Sequence, residues 1–403
     1  MGLKLLINSL FRGGAEKQFA ALAKLLPHDS LLLLEDEVSQ PVPQRPVILS
    51  AHKESTSPLM KTAAIPSYAR RLAAMTGPGD TVLSFMERAN IVNVMAAARS
   101  GHRAVICERT SPSGEFSGLR GALMRPLIRR NYPKADIVVA NSRGVSRDLC
   151  ANFGVPQEKV RVINNGCDTA GIAAQAAAAL PEGWDAVFAR SVIITGGRLT
   201  AAKGHWHLLR IFGEVRKAVP GAALVFLGEG ELEKYLIGLA GDLGLSCFAG
   251  HGAPPAGADV YFAGFRPNPH AFTARARIFA FTSLWEGFPN ALLEAMAAGA
   301  PVISADCDSG PREILAPSTA PDARALAPEN AEFGVLMPRL SGRRLAAKAA
   351  AEPEELVWSG KMAEMLQAPA ALRVYAGDGI RRASDFELSR VAAQWLQLLA
   401  ATT

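Results

Sequence analysis

The fold is decided by one stretch of the sequence, SLWEGFPNALLEAMAAGAPVISADCDSGPREIL, which spans Ser283–Leu315. It follows a short apolar run and opens with a turn that contains Gly287 and Pro289. Residues 290–298 then show apolar positions at helical spacing, and Gly299 ends that helix. The next apolar run, APVIS, predicts another strand. Strand, turn, helix and strand in this order predict a parallel α/β sheet.

Two glutamates stand out within this stretch. Glu286 lies in the turn, and Glu294 lies inside the helix. A helix start offers free N–H groups and the positive end of the helix dipole, which together suit a diphosphate. Glu286 would then reach sugar hydroxyls beside the phosphates, and Glu294 would reach a ribose. A pair of glutamates at this spacing is common on solvated helices, so the prediction depends on the surrounding string.

The same alternation extends in both directions from the deciding stretch. Short apolar runs that end in glycine or polar residues occur at residues 3–10, 81–85, 103–108, 136–142 and 160–166, and again at 191–199, 222–230, 259–265, 277–283 and 300–306. Each series predicts a parallel sheet with helices on both faces. An alanine-rich segment from Thr169 to about Arg190 reads as a linker, and the Gly/Pro-rich segment Cys247–Asp259 reads as an exposed loop.

The composition restricts the class of protein. The chain has 403 residues, 49% of them hydrophobic, a net charge of +6 and five widely spaced cysteines without a CxxC pair. These values predict an ordinary globular protein of two domains with reduced thiols. We find no apolar run long enough for a membrane span, no secretory signal and no nucleic-acid motif. The sequence therefore predicts a cytoplasmic protein that does not bind nucleic acid.

The string EGFPNALLEAMAAGAPVISAD resembles the donor-site signature of the family 4 retaining glycosyltransferases. DSGPREIL (Asp308–Leu315) extends the similarity towards bacterial members that build surface polysaccharides and lipid-linked oligosaccharides. The resemblance implies the GT-B fold, in which two Rossmann-like, doubly wound α/β domains face a central cleft. We place the acceptor-side domain at residues 1–180, the nucleotide-sugar-binding domain at 190–375, and a terminal helix that packs near the first domain at 384–403.

The resemblance also implies roles for residues of the second domain. GGRLTAAKG would bind the donor diphosphate through Arg198 and Lys203, beside Gly197; these two cations would stabilise the charge that develops on the leaving group. Glu286 would act on the sugar. The remaining donor contacts would come from Gly287, Phe288, Pro289, Asn290, Ala291, Leu292 and Glu294. Gly264, Phe265 and Arg266 would hold the nucleotide base, mainly through the backbone.

The first domain carries weaker similarity. RGGAEKQ (residues 12–18) resembles the family's glycine-rich first turn, where Gly13 and Gly14 would admit phosphate or acceptor. Many family members have a histidine after a later strand, whereas this sequence has Glu108 and Arg109, as members that build polysaccharides do. The resemblance therefore implies catalytic roles for both. Strand ends at Asn141 and at NNGCD also match family positions.

The predicted reaction transfers a sugar, with retention of configuration, from a nucleotide-diphosphate donor to a glycan or lipid-linked glycan. We expect the donor to be a UDP-sugar. We expect no cofactor and no metal, because the resemblance implies a transfer that normally needs no metal, and because His205 and His207 do not face each other on a helix. Two alternatives stay open: a nucleotide-sugar epimerase of the same fold, and a donor-binding subunit without catalysis.

A basic stretch, Phe116–Asp136, mixes arginines with leucines, methionine and isoleucine. Such a face could lie on anionic lipid, which would bring the protein to a lipid-linked acceptor at the cytoplasmic membrane surface. The same pattern also suits an ordinary surface helix.

Overall fold

The structure is a computed structural model that describes residues 2–11, 13–53, 55–250 and 252–401. These residues form two units, each with its own sheet. The first unit contains the chain up to Gly166 together with the residues from Leu388 onward. The second unit is the continuous segment Cys167–Glu387.

The first unit is a parallel sheet of seven strands in the order β3-β2-β1-β4-β5-β6-β7, with helices on both faces. Its strands are β1 (Leu3–Ile7), β2 (Ser30–Leu33), β3 (Val47–Ile48), β4 (Thr81–Phe85), β5 (Arg103–Glu108), β6 (Ile137–Ala140) and β7 (Val160–Val162). Its helices are α1 (Gly14–Ala23), α2 (Pro58–Ala63), α3 (Ile65–Ala73), α4 (Glu87–Ser100), α5 (Pro112–Glu115), α6 (Gly118–Asn131), α7 (Arg143–Phe153) and, at the other end of the chain, α17 (Leu388–Ala400).

The second unit is a sheet of eight strands in the order β10-β11-β9-β8-β12-β13-β15-β14, parallel except for the antiparallel edge pair β14 and β15. Its strands are β8 (Ser191–Gly196), β9 (Ala222–Leu227), β10 (Cys247–Ala249), β11 (Val260–Phe262), β12 (Ile278–Phe281), β13 (Val302–Ala305), β14 (Glu329–Ala331) and β15 (Gly334–Met337). Its helices are α8 (Thr169–Ala176), α9 (Trp184–Phe188), α10 (His205–Ala218), α11 (Glu233–Asp242), α12 (His270–Thr273), α13 (Asn290–Ala297), α14 (Pro311–Leu315), α15 (Pro353–Gln367) and α16 (Pro369–Ser384).

Each sheet is buried on both faces, which explains why its strands are continuous apolar runs. Successive residues of one strand point to opposite faces. In β1, Leu5 packs into one hydrophobic core of the first unit and Leu6 into the other. In β8, Ile193 and Ile194 divide in the same way between the two cores of the second unit. The predicted doubly wound architecture is therefore confirmed for both units.

Parallel pairing brings the carboxyl ends of the strands to one edge of each sheet. In the first unit, Phe85 of β4 pairs with Ile7 of β1 and with Cys107 of β5, so the loops after these strands begin side by side. In the second unit, β8 and β9 end together at Gly196 and Leu227. The candidate site residues come from these loops.

Helix α17 completes the first unit from the far end of the chain. Trp395 is fully buried in a core of this unit, and its ring centroid lies 5.7 Å from that of Phe85. Helix α17 packs beside α1 in the same core and covers the part of that sheet face that α1 does not cover. All five cysteines are free.

Two local predictions differ from the structure. The alanine-rich segment predicted as a linker forms α8 and α9, and Trp184 of α9 is fully buried in the second unit's core. The segment predicted as a loop begins with β10, which pairs with β11 at the sheet edge. His251 of that segment and Arg12 of the first turn lie outside the described residues.

Candidate functional site

Two loops of the second unit are fastened together at the carboxyl edge of its sheet. One follows β8 and contains a short 3-10 helix, Ala201–Lys203; the other follows β12. The hydroxyl of Thr282 donates to the carbonyl of Lys203 at 3.0 Å, and the Leu284 N–H donates to the carbonyl of Ala202 at 2.7 Å. These bonds fix Lys203 beside the turn that carries Glu286.

Lys203 and Glu286 form an ion pair between Nζ and Oε1. Both side chains are mostly buried, with 20% and 13% of their surface exposed. The Lys203 ammonium also lies 5.1 Å from the centroid of the Phe281 ring, which adds a cation–π attraction. On the other side of the turn, the Ser309 hydroxyl donates to the Glu286 carbonyl. The two predicted catalytic groups thus meet, and both are held from several directions.

The predicted donor-contact segment leads into α13. Pro289 is the N-cap residue and supplies no side-chain cap, so no side chain at that position covers the first N–H groups of the helix. Gly287, Phe288, Pro289 and Leu292 are buried, whereas Asn290, Ala291 and Glu294 are partly exposed. The Phe288 ring packs 5.2 Å from that of Phe386, which anchors the turn. An anion can therefore approach the helix start without displacing the core.

Arg198 occupies the loop after β8 and is exposed. No described residue forms a hydrogen bond or ion pair with its guanidinium. Close approach of two backbones shapes this loop: Gly228, at φ +129°, lies so near Gly197 that a Cβ atom would stand 2.1 Å from the Gly197 carbonyl oxygen. Only glycine fits at Gly228. The loop presents one paired cation, Lys203, and one exposed cation, Arg198.

The predicted base-binding residues lie beside a cavity of about 490 Å³. Gly264 lines it, together with Glu229, Gly230, Glu233, Ala249, Gly250 and Phe262. The Phe265 N–H donates to the Glu229 carboxylate at 3.2 Å, and half of the Phe265 side chain is exposed. Ala249 and Gly250 belong to the segment predicted as a loop, so β10 forms part of the wall.

The side chain of Arg266 turns away from this cavity into the unit's interior. Its guanidinium carbon lies 5.4 Å from the Trp184 ring centroid and 5.7 Å from that of Phe272. Burial lowers the pKa of Arg266. The side chain of Arg266 therefore packs against the aromatic rings of the second unit.

In the first unit, the glycine-rich turn begins α1. Gly13 is the N-cap residue, and Gly14 is the first residue of the helix. Gln18, one turn later, exchanges two hydrogen bonds with the backbone of Gly166: its Nε2 donates to the carbonyl at 2.6 Å, and its Oε1 accepts from the N–H at 2.9 Å. This pair joins α1 to the loop after β7. No local pattern in the sequence indicates this contact, because the two residues are far apart in the chain.

Arg109 lies in the loop after β5 and reaches the same region. Its guanidinium donates to the Asn165 side-chain oxygen and lies 5.0 Å from the Phe85 ring centroid. The Asn141 side chain donates to the Arg109 carbonyl at 2.7 Å. The strand ends at Asn141 and NNGCD are therefore brought to Arg109.

Glu108 is 1% exposed and accepts three hydrogen bonds. The Tyr132 hydroxyl donates to Oε2 at 2.5 Å, and the N–H groups of Arg109 and Thr110 donate to Oε1 at 2.9 and 3.4 Å. Burial, followed by the nearby carboxylate of Glu87, raises the pKa of Glu108 to about 7, although these hydrogen bonds oppose the shift. Glu108 lies beneath the loop rather than on its surface.

One buried cluster escaped the sequence reasoning. His207, Glu352 and Glu355 come within metal-ligand distance of one another. However, Arg210 already donates to both oxygens of Glu355, at 3.1 and 3.0 Å, and His207 Nδ1 lies 2.7 Å from the same carboxylate. The Gly342 N–H donates to His207 Nε2. This is an ion-pair network that fastens α15 to α10.

Comparisons with known proteins agree with this description. The family model described as Glycosyltransferase Family 4 matches residues 12–170, and that described as Glycosyl transferases group 1 matches residues 188–332. The fold and the site define a nucleotide-sugar-dependent glycosyltransferase. The chain is 31% identical over 323 residues to the N-acetylgalactosamine-N,N'-diacetylbacillosaminyl-diphospho-undecaprenol 4-alpha-N-acetylgalactosaminyltransferase of Campylobacter jejuni, covering 78% of this chain and 83% of that protein. The chain belongs to glycosyltransferase family 4.

Two further comparisons place it among its relatives. It is 31% identical over 173 residues to the lipopolysaccharide core biosynthesis glycosyltransferase LpsE of Rhizobium meliloti, covering 43% of this chain and 45% of that protein. In fold it resembles Anabaena Alr3699/HepE, crystallised with UDP and glucose, with a TM-score of 0.74, 19% identity and 99% of each chain covered. The predicted GT-B fold is confirmed.

Proposed function

We propose that this protein transfers a sugar, with retention of anomeric configuration, from a UDP-sugar to a glycan or lipid-linked glycan in the assembly of bacterial surface polysaccharides or oligosaccharides. The observation that carries the proposal is the ion pair of Lys203 with Glu286, in the turn that leads into α13, with the exposed Arg198 on the same loop as Lys203. The relatives that act on a diphospho-undecaprenol glycan and on a lipopolysaccharide core support the class of acceptor.

In this mechanism the second unit binds the donor. Arg198, Lys203 and the first N–H groups of α13 hold the diphosphate, where negative charge grows as the glycosidic bond breaks. Glu286 accepts hydrogen bonds from the sugar, and Glu294 accepts them from the ribose. Gly264, Phe265 and the backbone of Arg266 hold the base beside the cavity described above.

The acceptor binds to the first unit, near the glycine turn and Arg109. Its hydroxyl oxygen attacks the anomeric carbon on the face that the diphosphate leaves, and the hydroxyl proton passes to the departing phosphate oxygen. This route needs no carboxylate nucleophile and gives retention. In this proposed route Arg198, Lys203 and the start of α13 stabilise the leaving group, so the route includes no metal or cofactor.

The donor class is tested by thermal shift. We expect UDP to raise the melting temperature of the protein more than GDP or ADP does, because a ligand that binds the folded state alone stabilises it, by about 2.7 kcal/mol at a hundredfold excess over Kd. The Arg198→Ala, Lys203→Ala double variant should lose most of this shift. Lys217→Ala, which removes an exposed lysine paired with Glu214, is the matched control and should keep it.

If no nucleotide stabilises the wild-type protein, the donor site proposed here is wrong. If GDP or ADP gives the larger shift, the site stands but the donor class changes. Incubating a stabilising UDP-sugar without acceptor separates the epimerase alternative, because an epimerase would form the isomeric UDP-sugar under these conditions.

We also propose that α6 contacts an anionic membrane on its cytoplasmic face. The structure narrows the predicted basic face: Met124 and Ile128 are buried in the first unit, and Arg125 and Arg129 donate to backbone carbonyls. The exposed groups that remain are Leu119, 92% exposed, with Leu123 one turn later, and the cations Arg130 and Lys134. No helix of the described chain has the length and apolar character to cross a bilayer.

A vesicle assay tests this surface. The Arg130→Glu, Lys134→Glu variant should bind phosphatidylglycerol vesicles at least about tenfold more weakly than wild type, because each basic residue near an anionic surface contributes about 1 kcal/mol. Lys217→Glu with Arg381→Glu makes the same charge change on exposed positions of the second unit and should bind as wild type does. Equal binding by both variants would exclude α6 as the contact.

A further inference from the structure

A continuous chain of buried polar side chains crosses the first unit beneath α4. It starts at His102, before β5, and ends at Glu108, the last residue of β5. Each neighbouring pair is hydrogen-bonded, and every member is 3% exposed or less: His102, Asn93, Ser84, Asn90, Tyr132 and Glu108. Buried polar groups are costly unless they are satisfied, so a chain of this length in a small core needs a reason.

The direction of the chain is fixed by the main chain around it. The Asn90 side-chain oxygen accepts from the Cys107 N–H, and its nitrogen donates to the Cys107 carbonyl. The Asn93 nitrogen donates to the carbonyls of Val82 and Val105. Backbone N–H groups only donate and carbonyls only accept, so neither amide can be reversed.

From these fixed amides the remaining protons follow in order. The Asn93 oxygen accepts at 2.8 Å, so His102 Nε2 carries the hydrogen. Ser84 receives from Asn93 at 3.0 Å and therefore donates to Asn90 at 2.9 Å. Tyr132 receives from Asn90 at 3.0 Å and therefore donates to Glu108. Every donor points towards the Glu108 carboxylate, and each bond polarises the next.

The far end of the chain is neutral. Burial lowers the pKa of His102 to about 4, and its Nδ1 lies 2.7 Å from the Ser100 hydroxyl. The near end is set for a negative charge. The Tyr132 hydroxyl and the two N–H groups all donate to the Glu108 oxygens, so a proton on this carboxyl could be accepted only by Tyr132, and only if the Tyr132 hydrogen turned away from Glu108.

We propose that Glu108 is a positioning residue: the polarised chain from His102 favours the ionised carboxylate against the opposing effect of burial, and the ionised carboxylate holds the N–H groups of Arg109 and Thr110. The task of Arg109 rests on the proposed function, but the chain itself does not. When Glu108 is protonated, its carboxyl group no longer accepts all three of these hydrogen bonds. The turn that carries Arg109 is then released.

Several groups around Glu108 influence its titration. Glu87 of α4 opposes ionisation, and the Tyr132 hydroxyl and the Arg109 and Thr110 N–H groups favour it. Cys107 of β5 is buried, and its pKa is raised by that burial, so it stays neutral in the range tested. The balance places the change near pH 7.

The test follows melting temperature from pH 5 to pH 9 and needs no substrate. The pKa of a glutamate is about 4.3 in an unfolded chain, and that of Glu108 in this fold is about 7. Between these two pH values the folded state keeps a proton that the unfolded state has lost. The melting temperature of wild type relative to Glu108→Gln should therefore fall as pH rises to about 7 and then level off. Tyr132→Phe removes one donor to the Glu108 carboxylate and should raise the pKa of Glu108 further. When the Tyr132→Phe variant is compared with the Tyr132→Phe, Glu108→Gln double variant, the fall in melting temperature should therefore continue to a pH about one unit higher.

Tyr68→Phe is the matched control, because Tyr68 is also buried in the first unit with a bonded hydroxyl outside the chain. The Tyr68 hydroxyl contacts Ser50 and His52 and no member of the chain, so Tyr68→Phe, measured against Tyr68→Phe with Glu108→Gln, should leave the levelling pH unchanged. Ser84→Ala, which cuts the chain two bonds from Glu108, should shift the levelling pH upward by less than Tyr132→Phe does, and it serves if Tyr132→Phe does not fold. An unchanged levelling pH in both variants would overturn the proposal.

The positioning role has its own readout in UDP release from a UDP-sugar. Wild-type kcat should fall on the acid side of pH 7, and Tyr132→Phe should move that limb to higher pH, whereas Tyr68→Phe should not. If kcat shows no acid limb while the melting curves behave as expected, Glu108 does not position Arg109 and the inference fails. If wild type turns over no nucleotide sugar at all, the proposed function fails, and the melting curves still decide whether the chain holds the carboxylate ionised.

Discussion

Lys203→Ala is expected to lower kcat for sugar transfer by about two to three orders of magnitude, the usual effect of removing one group that stabilises developing charge. Its ammonium is fixed by Glu286, by the Phe281 ring and by two hydrogen bonds between the loops that carry it. We expect no other lysine to take its place, because the position of the Lys203 ammonium depends on these contacts. Steady-state kinetics with a UDP-sugar and a lipid-linked glycan acceptor measure the effect, with Lys217→Ala as the control.

The ion pair raises a second explanation for any loss, since Lys203→Ala also leaves the Glu286 carboxylate without its cation. Lys203→Ala with Glu286→Gln separates the two. Glu286→Gln alone is the reference, because Glu286 has its own role on the sugar. If Lys203 only neutralises Glu286, the double variant should be as active as Glu286→Gln; if Lys203 acts on the diphosphate, the double variant should be far less active than Glu286→Gln. A single variant within about threefold of wild type would contradict the mechanism.

Arg312→Ala is expected to destabilise the second unit by about 3 to 5 kcal/mol, because it leaves a buried charge without its partner. Arg312 in α14 donates to Asp306, which is fully buried at the end of β13, and to Glu329 in β14. Among the described residues, the Asp306 carboxylate then keeps a single hydrogen-bond donor, the Ala325 N–H at 2.8 Å. The second unit of the variant should therefore unfold at a lower denaturant concentration, whereas the first unit should unfold at the same concentration as in wild type.

Urea unfolding followed by tryptophan fluorescence measures this loss, since Trp184, Trp206, Trp285 and Trp358 belong to the second unit and Trp395 to the first. Arg381→Ala is the control: Arg381 is 75% exposed and pairs with Asp378 within one helix turn, so its removal should change stability by no more than about 0.5 kcal/mol. Equal effects of the two substitutions would show that the buried network contributes nothing beyond a surface pair.

The sequence predicted those parts of the fold that repeat a local pattern. The helix after Pro289 and its end at Gly299 follow from helical spacing and a glycine stop, and the structure confirms both, with α13 spanning Asn290–Ala297 and Gly299 at φ +82°. The linker prediction failed because half of the residues of α8 are alanine and α9 is only five residues long, so neither helix shows a clear periodic apolar face. Short edge strands such as β10 gave too little alternation to detect.

The candidate site divides in the same way. Glu286 and Lys203 were recognised from their strings, and the structure adds that they meet. The chain beneath α4 was missed, because Asn90 and Asn93 look like ordinary polar residues of a helix until both faces of that helix are known to be covered. Tyr132 and Glu108 are distant in sequence, and nothing local marks them as partners. The roles of the predicted site residues stay predictions until the variants above are measured.

The path of the chain between the units sets an order for biosynthesis. A ribosome makes the seven strands of the first unit before it makes the second unit, yet the helix that covers Phe85 with Trp395 follows the whole of the second unit. During translation the second unit can therefore fold as an uninterrupted segment while the first waits with an apolar face uncovered, the reverse of the usual order in which the amino-terminal domain is finished first. This exposed intermediate is where a chaperone would bind the nascent chain.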